Sequence, residues 1–211
     1  MELTQEGKQI TKIEVQKKDP RRRSLFIDRR FLMGVDYKVV EELDLKIGTT
    51  WDDTLEQTIH DAESYRKGLK KAADLLYRSS KTKKQMIRKL IEREFSENVA
   101  TRIADELEEK GFINDLHYAE QFIETRTNRY GAYRMRQELR LKGVPDQVID
   151  EALNNVEQES EYTRALEMGR KRVGQYASDP KEKAYQKLMS YLSRKGFSYD
   201  VVKKVVKELL E

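Results

Sequence analysis

MIRKLIEREFSENVATRIADEL, residues 86–107, contains the pattern that decides the fold of this 211-residue chain. After Leu90, large apolar residues follow at offsets of five, nine, thirteen and seventeen positions, and Met86 lies four positions before it. The same offsets recur twice, starting 49 and then a further 53 residues along the chain. The three copies are Leu90, Phe95, Val99, Ile103 and Leu107; Leu139, Val144, Val148, Ala152 and Val156; and Leu192, Phe197, Val201, Val205 and Leu209. Periods of this length are typical of helical repeat proteins.

Each copy predicts two helices joined by a tight turn. A spacing of four residues places apolar side chains on one face of a helix. Gly143 and Gly196 stand four residues after their leading leucines, where a helix end needs a residue that tolerates positive φ. Glu94 occupies the same place in the first copy, so we expect that turn to close differently. Ser96 and Ser198 can cap the helix that follows.

A further helix precedes each copy, so every repeat is predicted to contain three helices. One such unit has too little apolar surface to fold alone, whereas three stacked units can bury a shared stripe. The repeats are predicted at residues 64–113, 114–157 and 158–211. The other predicted helix starts are a Ser80 cap, an Asn114 or Asp115 cap, a first-turn Pro145, Ser160, and Asp179-Pro180.

Residues 1–63 have a different pattern, which predicts a small β-rich N-terminal domain that we call the head. Strands are predicted at residues 9–15, 24–27 and 31–35, a tight connection at Asp28-Arg29-Arg30, and a short helix at 37–43. A long helical pattern begins at Leu55 and continues past Gly68. Trp51 is expected to anchor the head to the array. The predicted fold is therefore mainly α: a tandem array of three three-helix repeats preceded by a small β-hairpin-containing N-terminal domain.

Composition narrows the class of protein. Charged residues make up 38% of the chain and hydrophobic residues 37%, so few residues are available for an apolar core. The apolar residues nevertheless recur at helical spacing, which argues against disorder. The absence of cysteine excludes disulfides and thiolate metal sites. No apolar run approaches the ~20 residues that cross a bilayer, and residues 1–12 lack a signal-peptide core. A soluble, cytoplasmic protein is expected.

Charge is distributed in blocks, although the net charge is only +4. Residues 75–91 hold six basic side chains and no acidic one, whereas residues 92–109 hold seven acidic and two basic ones. Residues 126–142 are again basic, and residues 146–161 hold six acids and no base. The first two repeats therefore each combine a basic helix with an acidic one. Such blocks can create separate positive and negative surfaces.

Motifs for catalysis are missing. His60 and His117 are far apart in sequence, and neither belongs to an HExxH arrangement. The chain contains no GxxxxGK[ST] phosphate loop and no GxSxG serine. We therefore expect a protein that is not an enzyme and that uses no cofactor or metal.

Several segments together resemble one known family. GFIND at residues 111–115 with Tyr118-Ala119, RMRQELRLKGV at 134–144 and RKGFS at 194–198 resemble successive motifs of the RecX family. ITKIEVQK at residues 10–17 and FLMGV at 31–35 resemble the N-terminal extension of its Gram-positive members. The chain departs from the family pattern at Asn114, where aspartate is commoner, and at Glu94, where the turn glycine is replaced.

The resemblance implies a regulatory protein. RecX proteins bind the RecA recombinase and its filament on single-stranded DNA, and they limit filament growth, ATP hydrolysis, strand exchange and co-protease activity in DNA repair and the SOS response. The family fold is an elongated, curved stack of three-helix repeats. No coiled-coil seam is present, so a monomer is expected.

Basic and aromatic residues of the repeats are candidates for contact with RecA or DNA, because long cationic side chains suit phosphates and tyrosine rings can stack on bases. The candidates are Arg78, Lys83, Lys84, Arg88, Arg126, Arg129, Tyr130, Arg134, Arg136, Arg140, Lys142, Arg170, Arg172, Arg194 and Lys195. Equally, these cations can form a solvated helix face, Arg134 can pair with Glu138 four residues on, and Tyr130 and Tyr133 can pack locally. For Asp115, a helix cap is the preferred interpretation over a functional role.

The alternative function is a stand-alone DNA-binding protein whose repeats present helix-turn-helix-like pairs to a duplex. A groove reader needs polar or basic side chains at the start of a recognition helix. The third helices of the first two repeats are acidic, which argues against that role for them. The basic middle helices leave weak, non-specific, salt-sensitive binding open.

Overall fold

The computed structural model describes residues 8–156 and 161–210, which contain ten α-helices and one three-stranded sheet. Predictions for residues 1–7, for a repeat boundary at residues 157 and 158 and for a helix start at Ser160 lie outside the described residues. The fold divides into two compact units, one containing residues up to 75 with 90–103, the other containing 76–89 with residues from 104 onward. The domain boundaries proposed from the sequence remain predictions.

The head contains the predicted antiparallel strands in the order β1-β2-β3. The strands are Lys12–Val15 (β1), Arg22–Ile27 (β2) and Arg30–Asp36 (β3). Asp28 and Arg29 form the two-residue connection, with φ of 47° and 65°. Two positive φ angles match the right-handed twist of a hairpin, so the predicted tight connection is confirmed.

The arginine run at residues 21–23 lies partly in strand β2 rather than wholly on a turn. Arg22 is the first residue of β2, and its guanidinium donates to the carbonyl of Gly34 at 2.5 Å. It also lies 3.3 Å from the buried carboxylate of Glu63, which accepts a hydrogen bond from the backbone N–H of Asp36. These contacts fix the arginine to the end of the sheet.

The core of the head is apolar and includes Ile10, Leu25, Val35 and Trp51, all of which are less than a tenth exposed. Trp51 was expected to join the head to the array, but it lies within this core, whose last member along the chain is Ile59. A short helix, Tyr37–Glu42 (α1), follows the sheet.

The long helical pattern forms one continuous helix, Asp53–Arg78 (α2). Asp52 caps it by accepting the N–H of Leu55 at 2.7 Å. Gly68 lies inside this helix, and a side chain there would overlap the side chain of Ile103. The glycine therefore permits close packing rather than ending the helix.

The rest of the described chain forms eight further helices in the predicted tandem order, and with α2 they make three for each repeat. They are α3 Lys83–Ile91, α4 Glu97–Glu109, α5 Asp115–Glu124, α6 Ala132–Lys142, α7 Asp146–Val156, α8 Glu161–Val173, α9 Lys181–Lys195 and α10 Tyr199–Leu210, with a 3₁₀ turn at Gly174–Tyr176. The predicted leucines Leu90, Leu139 and Leu192 are fully buried. Apolar clusters formed by α5–α7 and by α8–α10 are the cores of the second and third repeats.

The three turns after the middle helices have the same backbone geometry. Phe95, Val144 and Phe197 each donate an N–H to the carbonyl of the leading leucine, at 3.3, 3.1 and 3.4 Å. Glu94 adopts φ of 66°, and Gly143 and Gly196 both adopt 87°. The expectation that the first turn closes differently is therefore wrong, because Glu94 takes the left-handed conformation that glycine takes in the other two.

The predicted helix caps are confirmed at some positions and wrong at others. Ser198 is one of the latter, because its hydroxyl donates to the carboxylate of Glu161 at 3.1 Å and accepts no N–H of α10 among the described residues. Ser96 accepts the N–H of Val99 at 3.3 Å, as predicted. Ser80 does not begin α3; Thr82 does, because its hydroxyl accepts the N–H of Gln85 at 3.1 Å while the Gln85 side chain accepts the N–H of Thr82 at 3.2 Å. This reciprocal pair is a capping box. Pro145 lies just before α7 and accepts the N–H of Ile149 through its carbonyl, so it is not in the first turn.

Candidate interaction surface of the helical repeats

A polar joint connects the middle helices of the first and second repeats. Thr82, which is fully buried, donates its hydroxyl to the carbonyl of Lys142 at 2.6 Å. The stem of Lys84 lies against Gly143, where an added Cβ would be 2.5 Å from the lysine Cβ. The N-terminus of α3 therefore abuts the C-terminal end of α6.

An equivalent joint connects the second and third repeats. The N–H of Gly131 donates to the carbonyl of Lys195 at 2.8 Å, and the N–H of Tyr133 donates to that of Gly196 at 3.1 Å. Thr82 and Gly131 both lie eight residues before their leading leucines, and Lys142 and Lys195 both lie three residues after theirs. A hydroxyl at the first joint and two backbone N–H groups at the second thus donate from one helix start to the otherwise free carbonyls at the end of the other helix.

Asp115 reinforces the first joint. Asn114 caps α5 by accepting the N–H of His117 at 2.9 Å, whereas Asp115 is the first residue of that helix. The Asp115 carboxylate instead accepts the N–H of Lys83 at 2.9 Å, so it caps α3 from the next repeat. Burial raises the pKa of Asp115, and the bond from Lys83 only partly opposes that shift. The aspartate is a cap, as the sequence suggested, but of a different helix.

The positive charge of Lys83 is balanced within the protein by two carboxylates. Its ammonium lies 2.8 Å from Asp105 and 2.7 Å from Glu108, both on α4. Hydrogen bonds to Asp105 and then Glu108 raise the pKa of Lys83 to about 12. The side chain therefore holds α3 against α4 and has few donors left for a partner.

The basic surface expected on α6 is largely balanced by neighbouring carboxylates. Arg136 pairs with Asp150, and Arg140 pairs with Asp146 at 2.5 Å. The hydrogen bond to Asp146 raises the pKa of Arg140, and the same bond lowers the pKa of Asp146. The basic helix and the acidic helix of this repeat thus meet and reduce each other's charge, so they do not form two separate surfaces.

Two more candidates of the second repeat share a single carboxylate. Glu138 lies 3.1 Å from Arg134, which confirms the pair suggested by their spacing, and 3.9 Å from Arg126. Arg126 also stacks 4.0 Å from the ring centre of Phe122, and Lys142 lies 5.6 Å from the same ring. These cations cover the apolar core of the repeat with their stems.

The remaining candidates are spread over the repeats. Arg170 lies 3.6 Å from Glu208 on α10. Four exposed candidates lie on or beside the helices of all three repeats: Arg78 at the end of α2, Arg88 on α3, Arg129 before α6, and Arg194 near the end of α9. Within the described residues, the candidates that form no ion pair with a carboxylate are Arg78, Lys84, Arg129, Lys142, Arg172, Arg194 and Lys195.

Three tyrosines alternate with three cations along the second joint, forming what we call the tyrosine row. A fourth cation, Lys187, lies 5.5 Å from the ring centre of Tyr176 and pairs with Asp179 at 2.6 Å. Arg134 and Lys195 lie 4.0 and 5.6 Å from the ring centre of Tyr130. Lys195 and Arg172 lie 5.6 and 5.1 Å from that of Tyr191. Arg172 also lies 5.7 Å from the ring centre of Tyr176 and donates to its hydroxyl at 3.1 Å. The row brings together four predicted candidates: Tyr130, Arg134, Arg172 and Lys195.

Tyr176 and Tyr191 were missed from the sequence, although a signal for them exists. Tyr130 and Arg134, Arg172 and Tyr176, and Tyr191 and Lys195 are all four residues apart, which places each pair on one helix face or turn. Tyr133, by contrast, is 64% exposed and lies outside the row. A search for tyrosine and basic residues at this spacing would have found the row.

Among the described residues, no three histidine or carboxylate side chains are placed to bind a metal ion. His117 contacts Gln121 at 3.0 Å, and His60 lies 3.8 Å from Glu56. None of the described helices is long and apolar enough to span a membrane.

The fold and the surface define a class of protein: a small β domain followed along the chain by a tandem array of three-helix repeats that present cationic and aromatic side chains. Family models agree with this layout. The model of the regulatory protein RecX N-terminal domain matches residues 8–52, that of the second three-helix domain of RecX matches 114–153, and that of the third matches 159–206.

Full-length relatives identify the family. Regulatory protein RecX of Clostridioides difficile strain 630 is 32% identical over 203 residues, covering 95% of both chains. Regulatory protein RecX of Clostridium tetani strain Massachusetts is 31% identical over 212 residues, covering 100% of this chain and 98% of the relative. The chain belongs to the RecX family of regulatory proteins.

Solved structures share the architecture. A crystal structure of regulatory protein RecX has a TM-score of 0.78 and 28% identity, covering 95% of this chain and 99% of the other. The crystal structure of RecX from Lactobacillus salivarius has a TM-score of 0.65 and 27% identity, covering 70% of this chain and 97% of the other.

Proposed function

We propose that this protein is a cytoplasmic, non-enzymatic regulator of the RecA recombinase. It binds RecA filaments on single-stranded DNA and limits their growth, and thereby reduces ATP hydrolysis, strand exchange and co-protease activity. The observation that carries the proposal is the match to RecX regulatory proteins along nearly the whole chain, with the head and repeats in the same order.

The joints support a binding role for the array. Each middle helix is held end to end with the next by buried or backbone hydrogen bonds, so side chains on successive repeats keep a fixed spacing. A filament presents the same protein surface at regular intervals, and a repeat protein with fixed spacing can contact more than one interval at once. Such multivalent contact strengthens binding without any single strong site.

Charge pairing within the second repeat favours this proposal over the alternative of a protein that binds duplex DNA through a recognition helix. Arg136 and Arg140 of α6 pair with Asp150 and Asp146 of the helix that follows. A recognition helix in the major groove would need such side chains for base edges and phosphates. Their carboxylate partners would repel the duplex backbone.

The test is ATP hydrolysis by the cognate RecA on single-stranded DNA, titrated with this protein below one molecule per RecA. The proposal predicts a fall in rate at substoichiometric ratios, because a filament modulator acts on many RecA subunits at once. An unrelated DNA-dependent ATPase at the same DNA concentration is the control, and its rate should not fall. Equal inhibition of both enzymes would mean that the protein only sequesters DNA, and an unchanged RecA rate would overturn the proposal.

A further inference from the structure

The cations of the tyrosine row outnumber the carboxylates that pair with them. Within the described residues, the charged groups of Lys195 and Arg172 contact only rings and a tyrosine hydroxyl, and neither forms an ion pair. Arg134 shares Glu138 with Arg126. Two cations that contact the same ring lie close together and repel each other. A bound anion would offset this repulsion.

Two exposed arginines extend this positive region. Arg194 precedes Lys195, and its carbonyl accepts a hydrogen bond from Arg134 at 3.3 Å. Arg129 lies two residues before Gly131, whose N–H donates to the carbonyl of Lys195. Both arginines are exposed and form no ion pair among the described residues.

We propose that the tyrosine row binds a single strand of nucleic acid. The cations would contact successive phosphates, and the half-buried rings of Tyr130, Tyr176 and Tyr191 would offer stacking surfaces for bases. Alternating cations and aromatic rings in a positive region are how proteins bind single strands without sequence preference. A duplex keeps its bases stacked inside and cannot use the rings.

An acidic peptide is a poorer match to this surface. Peptide carboxylates would use the cations but would not stack on the three rings, whereas a nucleic-acid strand supplies phosphates and flat bases in alternation. The site is a property of the chain alone and does not depend on the proposed contact with RecA.

Binding of the full-length protein to fluorescent oligomers, followed by anisotropy at several salt concentrations without RecA, tests the proposal. The probes are a thymidine oligomer and a uridine oligomer of roughly 20 nucleotides, which exceeds the usual site size of a binding groove, a duplex of the same length, and polyglutamate as a competitor. Both single strands should bind more tightly than the duplex, since no contact to the 2′-hydroxyl is proposed. Duplex binding of equal strength, or displacement by polyglutamate at lower concentrations than by unlabelled oligomer, would overturn the proposal.

A charge variant locates the site. Arg172→Gln with Lys195→Gln should weaken binding and make the slope of log affinity against log salt shallower by about 1.4, because each lost phosphate contact removes about 0.7 for a single strand. Lys203→Gln with Lys204→Gln is the matched control, because both lysines are exposed on α10 and the net charge falls equally. The control should keep the affinity and slope of the wild type. Equal losses in the two variants would show that only total charge matters, which would overturn the assignment to the row.

A ring variant tests stacking separately. Tyr191→Leu keeps an apolar side chain but removes the ring, and it should weaken binding roughly fivefold to 150-fold. Tyr191→Phe should recover most of that loss because the ring is retained. Circular dichroism and thermal unfolding establish that each variant is folded, and the charge variant decides the question if Tyr191→Leu is not. Equal affinities for Tyr191→Leu and the wild type would exclude stacking at this ring.

Discussion

The carboxylate of Asp115 accepts a hydrogen bond of 2.9 Å from the backbone N–H of Lys83, so the first residue of α5 caps the middle helix of the preceding repeat. Thr82, one residue earlier, caps the same helix from within and donates to Lys142. The start of α3 is thus held by its own capping box, by α5 and by the end of α6.

Removing the Asp115 carboxylate should destabilise the array. Asp115→Ala leaves the N–H of Lys83 without its partner and should lower the free energy of unfolding by about 1–2 kcal/mol. Asp115→Asn keeps an acceptor and should lose less. Urea unfolding at neutral pH measures both. Equal stability of Asp115→Ala and wild type would show that the cap contributes nothing.

The pH dependence of the same site has a definite sign. Burial raises the pKa of Asp115 in the folded state above its usual value of 3.8. The folded protein therefore takes up this proton at higher pH than the unfolded chain, so the contribution of Asp115 to stability rises as pH falls through the raised pKa and becomes constant below the unfolded value. Relative to Asp115→Asn, wild type should gain stability on acidification from neutral pH toward about 4. A relative loss in urea unfolding over that range would contradict this assignment.

The buried hydroxyl of Thr82 should be needed at the first joint. Thr82→Val keeps the shape but loses both the cap to Gln85 and the bond to Lys142, and the expected loss is about 1–3 kcal/mol. Thr82→Ser keeps both bonds and is the matched control. Urea unfolding gives the stability of each variant, and hydrogen exchange at the Gln85 amide reports the cap. Equal exchange at Gln85 in the two variants would show that the hydroxyl does not hold this helix start.

Glu94 has a left-handed backbone conformation that favours glycine. Its φ of 66° costs a residue with a Cβ more than it costs glycine. Glu94→Gly should therefore raise the free energy of unfolding, measured in urea, by about 1 kcal/mol. Glu94→Ala removes the charge but keeps the Cβ, so it should give no such gain. If Glu94→Gly and Glu94→Ala are equally stable, any change in stability comes from the lost charge of Glu94 rather than from its backbone conformation.

The sequence predicted local features well because its signals were local. Apolar offsets placed Leu90, Leu139 and Leu192 in buried positions, and Ser96 capped the helix beside it. The capping role of Asp115 was predicted for the wrong helix because it depends on a distant residue. Asp115 reaches Lys83 from the next repeat, a pairing that no spacing within one helix reveals.

Charge blocks were the least reliable guide to the surface. They placed basic and acidic residues on the correct helices, but they could not show that Arg136 faces Asp150 or that Lys83 lies between Asp105 and Glu108. Which cations remain unpaired depends on how helices pack, and that follows from tertiary structure. The tyrosine row likewise exists only because α6, α8 and α9, with Tyr130 just before α6 and the 3₁₀ turn after α8, bring their side chains together.

Charge reversal at unpaired cations should weaken the proposed regulation of RecA. Arg129→Glu with Arg194→Glu should raise the concentration needed for half-inhibition of RecA ATP hydrolysis by roughly twofold to thirtyfold, because each lost exposed charge contact is worth about 0.2–1 kcal/mol. Lys203→Glu with Lys204→Glu makes the same change of net charge on exposed positions of α10 and should inhibit like wild type. Equal weakening in both variants would assign the effect to total charge. Unchanged inhibition by the Arg129 and Arg194 variant would place the RecA contact elsewhere on the chain, because neither arginine forms an ion pair with a described carboxylate whose loss could mask the effect.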